Sequence, residues 1–276
     1  MKVLVTGHHG YIGSVMAPFL HDAGLRSPGS TRSSMMAATS EPIGSTSLRP
    51  GVRDLAADAL TGFDAVVHLA ALSNDPLGDL NARWTYDVNL NGTGSLSRAA
   101  KEAGVRRFLF ASSCSMYGVA DLSELVTEEA PLMPLTPCRG RRPCGSCPPQ
   151  GARRHDPQSG VQPGADSEND RVSELAEITR DTLPGSTIDH AGGSGPDPRR
   201  YRVDVGKLSR AFPGYRPHWR ARDGARELFD AYRKANLNLD TFQGDRFVRI
   251  ARLKLLIEKR DLGKDLRWRQ AAAAMR

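Results

Sequence analysis

No stretch of this 276-residue sequence approaches the roughly 20 consecutive apolar residues that a membrane-spanning helix needs. The opening residues 1–6 carry one lysine and a short apolar run, without the basic region, apolar helix and small-residue site of a secretory signal. A cytoplasmic protein with no membrane partner is expected. Cysteine is scarce: there are four, three of them between Cys138 and Cys147, and in a cytoplasmic chain that argues against a disulfide framework. Aromatic residues make up 6%, and none occurs between Tyr117 and Tyr201. The net charge is +7 and the isoelectric point about 9.5, yet no basic stretch is interleaved with aromatics. General surface charge explains the arginines, and no nucleic-acid partner is expected.

Two segments lack the apolar residues a core requires. Residues 26–50 are rich in Ser, Thr, Gly and Pro where a second strand should follow the first helix, and residues 26–40 contain no acid. By pattern this is irregular loop. In residues 138–170, Val161 is the only aliphatic side chain larger than alanine. Such a stretch cannot bury enough apolar surface to offset its ordering entropy, so a disordered or aberrant insert is expected there.

What is present alternates strand and helix. Residues 2–6 read as a strand and residues 11–24 as a helix, with Ile12, Val15, Met16, Phe19 and Leu20 on one stripe and Gly24 at its end. Residues 52–60 read as a helical patch and residues 63–71 as a buried strand. A long helix is expected over residues 82–104 and another buried strand over residues 106–113. A helix over residues 171–185, then strand, loop and helix to about residue 217, and two amphipathic helices in residues 223–260 complete the chain. Strands alternating with helices predict a parallel sheet covered on both faces.

The first strand runs into Thr6-Gly-His-His-Gly-Tyr-Ile-Gly13, with glycines spaced three apart. In a strand–turn–helix, one glycine permits the tight turn, a second lets backbone approach a pyrophosphate, and a third lets helix and strand pack closely. Free N–H groups at the helix start then face the anion. His8 and His9 read as solvent-facing turn residues. Three further motifs follow in order: His68-Leu-Ala-Ala71, Asn89-Leu-Asn-Gly-Thr93 and Ser112-Ser-Cys-Ser-Met-Tyr-Gly118.

On these four motifs the sequence resembles the NAD(P)-dependent epimerase/dehydratases, the extended short-chain dehydrogenase/reductases. The resemblance is dense over residues 1–25 and 52–137 and weaker over about 171–225. It implies an α/β, Rossmann-like doubly wound parallel sheet with a reduced, mostly helical C-terminal part. It divides the chain into an NAD(P)-binding domain at residues 1–137, the insert at residues 138–170 and a remnant of the substrate-binding part at residues 171–276. It implies NAD or NADP as cofactor, with NAD favoured, a nucleotide-sugar substrate, and a homodimer as one possible assembly.

The resemblance also implies residue roles. Gly7, Gly10, Tyr11, Ile12 and Gly13 would line the pyrophosphate. Val52 would lie at the adenosine side, in the place of the family's D-[VI]-R-D segment, with Gly51 where the family has its first acid. Leu69, Ala70 and Ala71 would pass beside the ribose and nicotinamide, and Asn89 would be the helix asparagine near the cofactor. Ser113 would be the catalytic serine that hydrogen-bonds the reacting oxygen. Arg199, Arg200 and Tyr201, with Lys207 beyond them, would meet the substrate's diphosphate; an exposed strand and helix start is the competing reading of the same residues.

One element of the family's chemistry is missing. Its Tyr-x-x-x-Lys pair supplies a general acid/base and a lysine that lowers the tyrosine pKa. After the lead-in Pro131–Pro137 the sequence has Cys138, and four residues on Arg142. A thiol lacks the reach and pKa of a phenol, arginine is not a tunable amine, and Pro143 would break a helix there. Catalysis is therefore expected to be absent or severely reduced, with a non-catalytic NAD(P)-binding or interaction protein as the alternative. The abrupt change of composition at both odd segments is what a local change of reading frame in a GC-rich gene would produce, and a divergent insert would produce it too. Cys138, Cys144, Cys147 and His155 include the two-residue gap of a zinc site but no second structured pair, so no metal is expected.

Overall fold

A computed structural model describes residues 1–25, 51–73, 81–121, 123–133, 160–190, 200–245 and 247–269. The chain divides into two compact units. Among the described residues, one comprises those in 1–113 and 239–269, and the other those in 114–133 and 160–238. Residues 239–269 thus belong with the N-terminal unit, where the resemblance implies a C-terminal part.

The first unit is built on a parallel sheet of β1 (Val3–Thr6), β2 (Ala65–His68) and β3 (Arg107–Phe110), in that order. Its register aligns Leu4, Val66 and Phe108 in one row and Val5, Val67 and Leu109 in the next. Both faces of β1 and β2 are covered, as their continuous apolar runs require. On one face Leu4 and Val66 pack with Leu55, Leu60, Phe63 and, from helix α3 (Thr93–Glu102), Leu96, Ala99 and Ala100. On the other, Val3, Val5 and Ala65 pack with Leu20 of helix α1 (Tyr11–Asp22) and with Leu25. This is a Rossmann-like α/β arrangement. The reversal of strand order that a doubly wound sheet has would involve residues 26–50, which lie outside the described residues, as do Cys138–His155 and Arg199.

Three local expectations are corrected. Only part of the apolar stripe of α1 faces the sheet: Leu20 packs there beside the buried Gly13 and Ala17, while Ile12, Val15 and Phe19 are 56%, 54% and 71% exposed. Close approach to the sheet needs small residues, so these three large ones are turned outward. The third strand is exposed along most of its length, with Leu109 at 53%, where the sequence reads as a buried strand. Residues 52–60 form turns and one 3-10 turn (Asp58–Leu60) rather than a helix.

The long helix of residues 82–104 is present but interrupted. A short turn, α2 (Ala82–Thr85), continues into a π-helical segment Tyr86–Gly92 before α3 begins. Such i→i+5 segments concentrate at functional sites, because the extra residue re-aims side chains. Here it contains Asp87 and Asn89.

The second unit is held by single parallel bridges, Val119 with Arg200 and Val126 with Val203. Its helices are α4 (Val172–Thr182), α5 (Gly206–Ala211) and α6 (Ala221–Lys234), with α4 packed on α6. Residues 160–170, the end of the expected insert, are among the described residues. Gln162 is 6% exposed and donates from Nε2 to the Val126 carbonyl at 3.0 Å. Asn169 exchanges two hydrogen bonds with the backbone of Val203, at 2.9 and 3.1 Å. In the first unit, α7 (Leu239–Gln243) and α8 (Arg249–Glu258) lead to a closing hairpin. No described helix is long and apolar enough to cross a membrane.

Candidate cofactor site at the carboxyl end of the sheet

The glycine turn closes on itself. The Gly10 N–H donates to the Gly7 carbonyl at 2.9 Å, and the Ser14 N–H donates to the Gly10 carbonyl at 2.9 Å. Gly7 has φ +74°, a conformation that a side chain would strain. A Cβ on Gly7 would stand 2.7 Å from the Ala70 nitrogen, and one on Gly13 would stand 2.3 Å from the Gly7 carbonyl oxygen. Beside Gly10 the nearest atom is that same oxygen at 3.2 Å. Gly7 and Gly13 are therefore required by packing, whereas Gly10 faces outward. Gly10 caps α1 without a side chain to occupy the first-turn N–H groups, and Tyr11 and Ile12 are exposed beside it. A bare helix start facing solvent above a parallel sheet has the chemistry an anion needs.

Around this turn the other motif residues assemble. Leu69 and Ala70 lie directly against Gly7. Two residues on, the backbone of Leu72 is clamped by Asn89: its N–H donates to Asn89 Oδ1 at 2.8 Å and its carbonyl accepts from Nδ2 at 2.9 Å. Asn89 is buried, and its amide is spent on that loop. It therefore acts on the site through Leu72. Gly92, in the same π segment, lies against Val52 and Arg53. Leu69 and Ala70 thus meet the turn at the carboxyl end of β2, where open α/β sheets bind ligands, while Val52 meets Gly92 and packs on the core cluster of Leu55, Leu60 and Leu96. Ala71 follows in the same loop, half-buried.

Beneath the turn lies a link that the motif reading did not reveal. His68 is 1% exposed, with Nδ1 2.7 Å from the Thr6 hydroxyl and Nε2 2.8 Å from the Thr93 hydroxyl. Burial lowers its pKa from 6.5 to about 4, so the ring is neutral. His8 is half-buried, with its ring 4.1 Å from that of His9. Burial first, then the His9 charge, lower its pKa.

The remaining predicted residues fall elsewhere. Ser113 follows β3 and is exposed. In the second unit Tyr117 is 5% exposed, and burial, with smaller contributions from Cys114 and Glu128, pushes its phenol up to about 12. Arg200 is exposed and engaged through its backbone, its N–H donating to the Gly118 carbonyl at 3.2 Å, and Tyr201 is half-buried. Lys207 Nζ is buried without a hydrogen-bonding partner among the described residues. Among the described residues no group of three His, Cys, Asp or Glu could hold a metal ion.

The sheet, its covered faces and its glycine turn define a Rossmann-like α/β protein. The model of the NAD dependent epimerase/dehydratase family matches residues 3–141, and the chain belongs to that family. It is similar to the UDP-glucose 4-epimerase of Streptomyces lividans, 35% identical over 141 residues, which are 49% of this chain and 43% of that protein. The Corynebacterium glutamicum UDP-glucose 4-epimerase is 32% identical over 142 residues, 49% of this chain and 41% of the relative. The chain thus spans less than half the length of the curated relatives it matches. Among solved structures, a short-chain dehydrogenase/reductase superfamily protein from Agrobacterium tumefaciens with bound NAD is 32% identical, at TM-score 0.41, over 50% of this chain and 40% of that one.

Proposed function

We propose that this chain binds NAD across the carboxyl end of its sheet and is a nucleotide-sugar epimerase/dehydratase-like protein whose hydride chemistry is impaired. The observation that carries the reading is the glycine turn: Gly7 and Gly13 leave no room for a Cβ, while the start of α1 beside Gly10 is uncapped by any side chain. That is a cradle suited to a pyrophosphate. Gly7, Gly10, Tyr11, Ile12 and Gly13 would hold it, and Val52, with Leu69, Ala70 and Ala71, would line the adenosine and ribose path. Asn89 would keep that path in place through Leu72. Bound NAD would supply a hydride acceptor and donor at its nicotinamide ring. The substrate is expected to be a nucleotide sugar, as in the UDP-glucose 4-epimerases that the chain resembles. Ser113 would orient the reacting oxygen, and Arg199, Arg200 and Tyr201 would meet the diphosphate.

The impairment rests on Cys138 and Arg142, which stand where the acid/base pair belongs. Tyr117 is a poor substitute, because a general base needs a pKa near the working pH and burial moves this phenol the other way, to about 12. The expected result is a cooperative melting transition that rises with millimolar NAD, by about 2.7 kcal/mol of stabilisation at a hundredfold excess over Kd. Turnover of UDP-glucose is expected to lie at least about 10²-fold below that of an intact relative, the usual worth of a general acid/base. A transition unmoved by NAD would reject cofactor binding. Turnover matching the relatives would reject the impairment.

A further inference from the structure

A closing hairpin in the first unit carries contacts that the motifs do not foretell. Leu262 pairs with Trp268, and the Arg269 N–H donates to the Asp261 carbonyl at 3.0 Å. The Gly263 N–H donates to the Arg267 carbonyl at 2.8 Å. Leu266, at the bend, has φ +58°, a conformation that non-glycine residues adopt rarely and mostly where the surroundings impose it.

The surroundings here are Arg53. Its guanidinium, with a side chain only 9% exposed, donates Nη1 to Asp87 at 2.5 Å and to the Asp265 carbonyl at 2.7 Å, and Nη2 to the Leu266 carbonyl at 3.0 Å. Arg267 reaches back to Asp54 at 2.9 Å. The Trp84 indole donates to the Lys264 carbonyl at 2.6 Å. Residues 52–54 are therefore held from two sides, by Asp87 of the π segment and by the hairpin. The Arg53–Asp87 hydrogen bond, foremost among its contacts, holds the Asp87 carboxyl below the usual carboxylate range.

The contacts form one physical series. Gly7 rests on Leu69 and Ala70, Leu72 is clamped by Asn89, Asn89 shares a π segment with Asp87 and Gly92, and these two hold Arg53 and Val52. The hairpin is the outer end of that series. A fork with three fixed acceptors loses little additional freedom on binding, which makes Arg53 a register device rather than a surface charge.

We propose that the hairpin at residues 261–269, acting through Arg53 and Arg267, is a strap that positions Val52 for the adenosine half of the dinucleotide. This rests on the proposed binding of NAD. Arg53 and Arg267 are positioning residues; neither touches the cofactor. In the proposed binding mode Val52 would lie on the adenosine side only, so loosening the strap would weaken NAD and ADP-ribose by the same factor.

The test uses the full chain and the variants Arg53→Met, Arg267→Ala and Arg267→Lys, titrated with NAD and with ADP-ribose at a temperature where ligand-free melting shows each to be folded. Arg267 is exposed, so its loss should shift the melting temperature little. Arg53→Met and Arg267→Ala should each weaken both ligands about fivefold or more, the lower range of coupling between distinct sites, and Arg267→Lys should recover part of the loss. Kd values equal to wild type in folded Arg53→Met and Arg267→Ala overturn the strap while leaving cofactor binding intact. A folded wild type that binds neither ligand overturns both.

Discussion

Gly13→Ala is expected to abolish NAD binding and to cost about 3 kcal/mol of stability, the upper range for forcing an extra methyl into a packed site. The new Cβ would meet only backbone: the Gly7 carbonyl oxygen at 2.3 Å and His8 Cα at 2.5 Å. No rotamer relieves that, so α1 must lift from the turn. Gly7→Ala combines a 2.7 Å approach to the Ala70 nitrogen with φ +74°, and is expected to fail in the same way. Gly10→Ala is the informative contrast. Its φ is −79° and its nearest neighbour is 3.2 Å away, so the fold should lose only about 0.5 kcal/mol. Its methyl would project to where the proposed pyrophosphate would lie against the backbone, and binding should weaken about 10-fold or more. Urea unfolding and NAD titration of the three variants check the order. If Gly10→Ala binds NAD as tightly as wild type, the turn is a packing device and no phosphate sits there.

These two roles show how far the text can be read. Three glycines at equal spacing after an apolar strand specify a tight turn and a close helix, because no other residue satisfies both demands. The sheet was legible for the same kind of reason: Val3–Val5 and Ala65–Val66 are apolar without alternation, and only a strand covered on both faces tolerates that. The third strand, Arg107–Phe110, carries the same signal yet is exposed, because a sequence run states what a strand can bury and not whether a neighbour arrives to cover it. The stripe Ile12, Val15 and Phe19 misled in a related way. Helical periodicity marks the larger side chains, but the sheet accepts α1 along Gly13, Ala17 and Leu20, and the smallness of the first two is the signal that the periodicity hides. The hairpin on Arg53 left no trace in the text, since a partnership across more than 200 residues of chain has no period. Asp87, the sixth residue of the helix expected from residue 82, looks like an ordinary exposed acid until the π segment turns it toward Arg53.

Acidification is expected to destabilise the first unit through His68 before most carboxylates titrate. The ring is neutral between the hydroxyls of Thr6 and Thr93, with Phe110 5.6 Å away. Its folded pKa is about 4 against 6.5 in the unfolded chain. Between those values the unfolded state binds more protons, so stability rises with pH there. The contribution is complete above pH 6.5 and is lost as pH falls towards 4, amounting to about 3 kcal/mol in all. Measured by urea unfolding, the wild-type chain should lose about 2–3 kcal/mol between pH 7.5 and 4.5 from this group. His68→Gln keeps polar atoms for both hydroxyls and carries no proton in this range. It should start lower at pH 7.5, by about 1–2 kcal/mol for imperfect hydrogen bonds, and then decline less steeply. Equal slopes in the two proteins would mean that the ring is hydrated and titrates normally. A flatter slope in His68→Gln carries a consequence for the site as well. Thr6 is the residue before Gly7, and its hydroxyl also lies 3.4 Å from the Ala70 nitrogen. Protonation would press on the floor of the glycine turn, so NAD affinity in the wild type should weaken over the same pH interval, and in His68→Gln it should not.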